Sequence, residues 1–216
     1  MKLVDCFQRV NDTVSLNRDI QYIVVHYAAT VGSTQRHAEG VASWFSNKGA
    51  KASADYVVGD DLVICCNPSL PDRYTWHCGG SKQNTKGGAL YKQCTNSNSI
   101  GIGLCSTSVT GAVEAPNSSA WSFSPQVLQN AAELIKDLMQ AYGVPLERVV
   151  RHYDVTGKLC PGVVGWNADS GSEEAWLQFK QGLEEPSSSA VVQDLIQRVE
   201  EIQGKLQKLL WAMSKE

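Results

Sequence analysis

The residues of this chain best suited to metal chemistry are its four histidines and seven cysteines. Two of the histidines, His26 and His152, are tied to apolar strand patterns. His26 falls near the end of IQYIVVHY (Ile20 to Tyr27), and His152 follows Val149-Val150-Arg151. Cys160 lies eight residues beyond His152, in RHYDVTGKLCPG. A catalytic zinc site takes three protein ligands in tetrahedral positions and leaves a fourth open, and imidazole and thiolate are both good zinc donors. Two ligands at the ends of neighbouring strands and one on a following loop can supply such a site. Closed structural zinc sites usually show cysteines paired at C-x-x-C spacing, and the chain has none. Cys65 and Cys66 are adjacent and, on a strand, face opposite sides. Spacing alone leaves two readings open, because a histidine at a strand end is also a common structural residue.

Those residues need elements to position them, and the pattern supplies alternating strands and helices. Ile20 to Tyr27 is a nearly continuous apolar, β-branched run, the mark of a central buried strand. Between Thr34 and Asn47, the residues Val41, Trp44 and Phe45 suit one face of a helix. Ala54 to Val58 and Leu62 to Cys66 are strand-like and flank Gly59-Asp60-Asp61, a hairpin signal. Ile100 to Cys105 (IGIGLC) is a further strand, and its glycines predict a close approach to the backbone. Ser124 and Pro125 open a helix as N-cap and first residue; it runs to Tyr142 and stops at Gly143. Val149 to His152 reads as a short last strand, and Ser172 to Gly182 as a helix carrying Trp176 and Phe179. Strands interleaved with helices give an α/β fold, a mixed central β-sheet flanked by helices.

This α/β pattern occupies residues 1–182. A polar linker follows at 183–190, including Glu184-Glu185-Pro186-Ser187. Residues 191–216 then form one amphipathic helix. Val192, Leu195, Val199, Ile202, Leu206, Leu209 and Met213 recur in steps of three and four, a heptad seam. An isolated helix of this kind is marginal in water, so its stripe must meet a partner. The preferred reading is a coiled coil that makes the chain a homo-oligomer through residues 191–216; the other is folding back onto its own domain. Leu210 and Trp211 widen the stripe, and Gly204 weakens it.

Composition excludes several classes. With a net charge of -3 the chain lacks the surplus of Lys and Arg that nucleic acid or an anionic membrane requires. No window approaches the roughly 20 apolar residues of a membrane span. The opening MKLVDCFQRV lacks the apolar core of a signal peptide, which implies synthesis in the cytoplasm. An odd number of irregularly spaced cysteines, in that compartment, implies reduced thiols and no disulfide framework.

Five landmarks then occur in order: YIVVH ending in His26, SADY at Ser53 to Tyr56, Trp76-His77-Cys78-Gly79, NSNSIGI at Asn96 to Ile102, and RHYD followed by KLCPG. From about Ile20 to Gly162 the chain resembles the type 2 N-acetylmuramoyl-L-alanine amidases, the family of phage endolysins, bacterial autolysins and peptidoglycan recognition proteins. The resemblance implies a mixed sheet with Zn2+ in a surface groove, bound by His26, His152 and Cys160. It implies that Lys158 stabilises the oxyanion of amide hydrolysis, and that Trp76, His77 and Tyr56 contact substrate. The substrate partner is peptidoglycan, cut between N-acetylmuramic acid and L-alanine after the enzyme is released to the cell wall. Zinc lowers the pKa of its water to about 7 and polarises the carbonyl, and an ammonium beside it stabilises the tetrahedral intermediate. Asp154 is either a hydrogen-bond partner of a ligand or a turn residue.

The chain departs from the family at the general base. Many relatives read IGIE where this one reads Ile100-Gly101-Ile102-Gly103, and that Glu is their base. Other members use a Tyr that aligns with Ala54, and Asp55 stands where a His is frequent. Three readings follow: hydrolysis without a strong base, with Asp55 or Tyr56 assisting; loss of the base from an otherwise intact enzyme; or a recognition module that binds peptidoglycan without cutting it.

Overall fold

The computed structural model describes residues 2–5, 10–32, 36–184 and 188–213. The chain forms two compact units, Met1–Glu184 and Glu185–Glu216. In chain order the first unit contains β1 (Leu3–Asp5), β2 (Asp12–Val14), β3 (Tyr22–Tyr27), α1 (His37–Phe45), β4 (Tyr56–Val58), β5 (Val63–Cys65) and β6 (Arg73–Thr75). After these come β7 (Ser99–Leu104), β8 (Thr107–Ser108), β9 (Trp121–Ser122), α2 (Pro125–Tyr142), β10 (Val149–Arg151), α3 (His152–Thr156) and α4 (Glu174–Gln181).

Six strands form one mixed sheet in the order β1-β5-β4-β7-β3-β10. The β4/β5 pair is antiparallel and the other neighbours are parallel. β3 lies between β7 and β10, and all six of its residues are buried. Burial on both faces is why its sequence is continuously apolar rather than alternating. The hairpin at Gly59 closes with its N–H donating to the Leu62 carbonyl at 2.9 Å. β2 with β6, and β8 with β9, form two small antiparallel sheets.

The long helix α2 follows its sequence signals. Ser124 Oγ accepts from the Val127 N–H at 3.1 Å, a cap whose loss costs about 1 kcal/mol. Gly143 ends the helix in the left-handed conformation at φ 64°. Val127, Ala131, Leu134, Ile135 and Leu138 form its buried stripe.

The helix face of Val41, Trp44 and Phe45 is buried unevenly: Val41 is buried and Phe45 packs on the core, but Trp44 is 55% exposed. In a helix this short, Trp44 sits at the edge of the stripe and turns outward. The last strand stops at Arg151, one residue earlier than expected, and His152 begins α3. The cause is a local cap, in which the Asp154 carboxylate accepts from the Arg151 backbone N–H at 2.7 Å and pairs with its guanidinium at 2.6 Å. Arg151 is itself buried, donating to the Trp166 carbonyl and pairing with Glu173. Asp154 therefore orders the start of α3 and is not bonded to a ligand. Leu183 is 3% exposed and belongs to the core of the first unit.

The second unit is a single helix, α5 (Ser188–Met213). Val192, Leu195, Val199, Ile202 and Leu206 are exposed along it, and nothing within this unit covers them. Asp194 and Arg198 pair at 2.9 Å one turn apart. The structure shows the helix; one helix does not show the coiled coil expected from its heptads. Among the described residues no helix is long and apolar enough to cross a membrane. Cys65, Cys66, Cys78, Cys94, Cys105 and Cys160 are all buried and none is in a disulfide; Cys6 lies outside the described residues.

Candidate metal centre and groove

β3 and β10 are parallel neighbours, with Val25 opposite Arg151. The residue that follows each of these two is a histidine, so topology alone brings His26 and His152 together. Their rings lie 4.9 Å apart between centroids at 70°. Cys160 is returned to them by a tight loop. Gly157 ends α3 at φ 81°, a conformation that favours glycine, and the Cys160 carbonyl accepts from the Tyr153 N–H at 2.9 Å. That N–H is one of the unsatisfied donors at the start of α3. The Cys160 Sγ then lies 3.6 Å from His26 Nδ1. One donor atom from each of His26, His152 and Cys160 falls within 4.8 Å of the others, and all three residues are buried.

The donor set fits a metal ion. Both ring nitrogens of His152 are buried with no hydrogen-bond partner among the described residues, which is costly unless a ligand takes one of them. Burial, then Lys158 and His77, push the His152 pKa down to about 3. Burial, then His152, His77 and Lys158, hold His26 well below the usual histidine value. Burial pushes the Cys160 thiol up to about 11, against the pull of Lys158. Two neutral imidazoles and a thiol that a cation would deprotonate are the states zinc ligands require.

The cluster opens into a groove of about 830 Å³. Lys158 is exposed along this groove, and its charge reaches all three ligands. Gly103 lies opposite His26 in the β3/β7 register. A Cβ at Gly103 would meet only the Tyr56 carbonyl at 3.8 Å and the Ala54 Cβ at 3.9 Å. The two aligned base positions, 54 and 103, thus both face the groove, and neither carries a titratable group. Trp76 is 40% exposed on the groove wall, its ring fixed by donation from Nε1 to Thr13 Oγ1 at 3.0 Å. Trp44 lines the groove as well. The sequence put it on one helix face with Val41 and Phe45, and all three reach the groove. His37, unassigned from sequence, is also on the groove, bonded to Thr30 Oγ1 at 2.8 Å.

The structure does not bring Asp55 or Tyr56 to the groove. Asp55 is fully buried, with its carboxylate accepting from the Gly101 N–H and the Asn67 amide, both at 2.7 Å. Its acceptors are spent on holding β7 to the preceding loop, so it does not assist at the metal. Tyr56 is opposite Ile102 and belongs to the hydrophobic core. His77 is buried at the groove floor, its Nδ1 3.1 Å from His26 Nε2 and its Nε2 3.2 Å from Ser99 Oγ. Burial pulls the His77 pKa down and the neighbouring Cys78 thiol pulls it up, and the second effect prevails.

Among curated proteins, a probable N-acetylmuramoyl-L-alanine amidase of Bacillus licheniformis is 29% identical over 181 residues, covering 82% of this chain and 46% of the relative. The amidase BlyA of Bacillus subtilis strain 168 is 27% identical over 168 residues, 74% of this chain and 40% of its own. The chain thus spans less than half the length of these relatives. A mutant endolysin from Bacillus subtilis shares the fold at a TM-score of 0.57 and 24% identity, over 84% of this chain and 98% of that one. PlyL does so at 0.57 and 22%, over 85% and 97%. The family profile described as N-acetylmuramoyl-L-alanine amidase matches residues 16–163, a span that includes every ligand of the candidate centre. The chain belongs to the N-acetylmuramoyl-L-alanine amidase family.

Proposed function

We propose that this chain is a zinc-dependent amidase that hydrolyses the bond between N-acetylmuramic acid and L-alanine in bacterial peptidoglycan, in the manner of an endolysin. The observation that carries this reading is the buried His26, His152 and Cys160 cluster opening beside Lys158 into a groove. When bound, the ion supplies Lewis acidity at the amide carbonyl and a more acidic water. Lys158 places a positive charge where the carbonyl oxygen becomes negative, a contribution of about 3–4 kcal/mol when such a group is preorganised. Trp76 forms one wall against the substrate and excludes water from it. The test is the release of new amino termini from purified cell walls, lost with a chelator and restored by zinc.

A second reading has a specific observation in its favour. Positions 54 and 103 are alanine and glycine, so the groove has no carboxylate or phenol where family members place a base. A recognition module would bind wall fragments in the same groove and release no amino termini. The same assay, run beside a binding measurement, separates the two readings.

The exposed stripe of α5 supports self-association through residues 191–216. Several catalytic heads on one particle would gain avidity on a polymeric wall. Deletion of residues 190–216 should then lower the number of subunits per particle in sedimentation, and an unchanged number would overturn this reading.

A further inference from the structure

We propose that His77 is a positioning residue of the metal centre, which fixes His26 with Nδ1 toward the ion through a hydrogen-bonded chain running from His26 through His77 and Ser99 to the Thr95 carbonyl. The inference rests on the zinc reading above and concerns how the protein holds the site.

The chain has one consistent direction. His26 presents Nδ1 to Cys160 at 3.6 Å and Nε2 to His77 Nδ1 at 3.1 Å. A neutral imidazole has one donor nitrogen and one acceptor. If His26 Nδ1 gives its lone pair to an ion, the His26 proton is on Nε2 and donates to His77 Nδ1. The His77 proton is then on Nε2 and donates to Ser99 Oγ at 3.2 Å. Ser99, in turn, donates to the Thr95 carbonyl. The opposite direction would place the His26 proton on Nδ1, facing Cys160, and leave no lone pair for the ion.

The fold has made room for this ring. A Cβ on Gly101 would lie 2.5 Å from His77 Cγ, so the imidazole occupies the volume that a side chain on β7 would fill. The backbone beneath it is pinned as well, because Asn96 Oδ1 accepts from the N–H groups of His77 at 3.1 Å and Cys78 at 2.8 Å. His152 has no comparable brace. The centre therefore combines one imidazole oriented before the ion arrives with one that the ion itself must orient.

Supporting hydrogen bonds of this kind are worth about 10–100-fold in metal affinity. The test measures zinc dissociation constants of the full chain by competition with a chelating dye, together with the absorption bands of the cobalt-substituted protein. His77→Ala should weaken zinc binding by about 10–100-fold and shift the cobalt bands. His77→Gln, which keeps an acceptor for His26, should recover most of the affinity. Ser99→Ala, which leaves both histidines in place, should lose a smaller part and serves if His77→Ala does not fold. Zinc affinity unchanged in folded His77→Ala, or in Ser99→Ala when that variant has to serve, overturns the proposal, even if the metal-free melting temperature falls. A wild-type chain that binds no zinc would instead refute the amidase reading.

Discussion

Zinc binding should release a proton from Cys160. In the metal-free protein His152 titrates at about 3 and His26 well below its usual value, so both imidazoles are already neutral at pH 6. The Cys160 thiol titrates at about 11 and is fully protonated there. A thiol that must ionise to bind makes affinity rise about tenfold, or about 1.4 kcal/mol, for each pH unit. The window from about pH 5.5 to 6.5 is the cleanest, because a water on zinc, with a pKa of about 7, still largely keeps its own proton. Titration calorimetry in buffers of different ionisation enthalpy counts the protons directly. A value of at least one supports the arrangement, and a second proton would come from His77, whose pKa is raised in the fold and which lies 3.1 Å from His26. A value near zero would mean that Cys160 is a thiolate before the metal arrives; three or more would mean charged ligand imidazoles, and a site less buried than the structure has it.

Two further outcomes follow from the same geometry. Gly103→Glu should raise wall lysis, followed as turbidity loss, by about 10²–10⁴-fold if position 103 is the site of the base; unchanged lysis refutes that alignment. The metal-free protein should lose stability on acidification. His26 and His152 are depressed in the fold, so their contribution is complete above the unfolded value near 6.5 and is lost as the pH falls below it. The slope is up to about 1.4 kcal/mol per pH unit for each imidazole. Urea unfolding in chelator checks it, and a flat profile between about pH 6.5 and 5 would contradict the burial of the pair.

The candidate metal ligands were legible because His26 and His152 each follow a strong strand pattern, with Cys160 on the loop beyond. The apolar run before His26 sets a buried central strand, and a parallel neighbour ending at Arg151 places His152 beside it. The supporting residues were less legible, since their roles depend on which way one side chain turns. Asp55 and Ala54 are adjacent just before β4, where Ala54 faces the groove and Asp55 turns to the backbone of Gly101. Alignment with family members draws attention to both positions and cannot choose between them. The exposure of Trp44 was not legible for a related reason: a helix spanning His37–Phe45 has too few turns for periodicity to resolve the edge of its stripe. His77 is buried at the groove floor, and only the three-dimensional meeting of its ring with His26 and Gly101 shows what it braces.

That meeting separates two glycines that look equivalent in the sequence. Gly101 and Gly103 are two residues apart on β7, opposite Val24 and His26, and so share one face of the sheet. At Gly103 an added Cβ has no neighbour closer than 3.8 Å, so a side chain there extends into the groove. At Gly101 the same atom would lie 2.5 Å from the His77 ring, itself held by His26, Ser99 and the anchored backbone at Asn96. The ring cannot yield without breaking that chain. Gly103→Ala should therefore leave zinc affinity and melting temperature near their original values. Gly101→Ala should lower both, with an overpacking cost of about 1–3 kcal/mol. Equal effects from the two substitutions would show that the His77 ring is free to move, and that the space over Gly101 is not reserved for it.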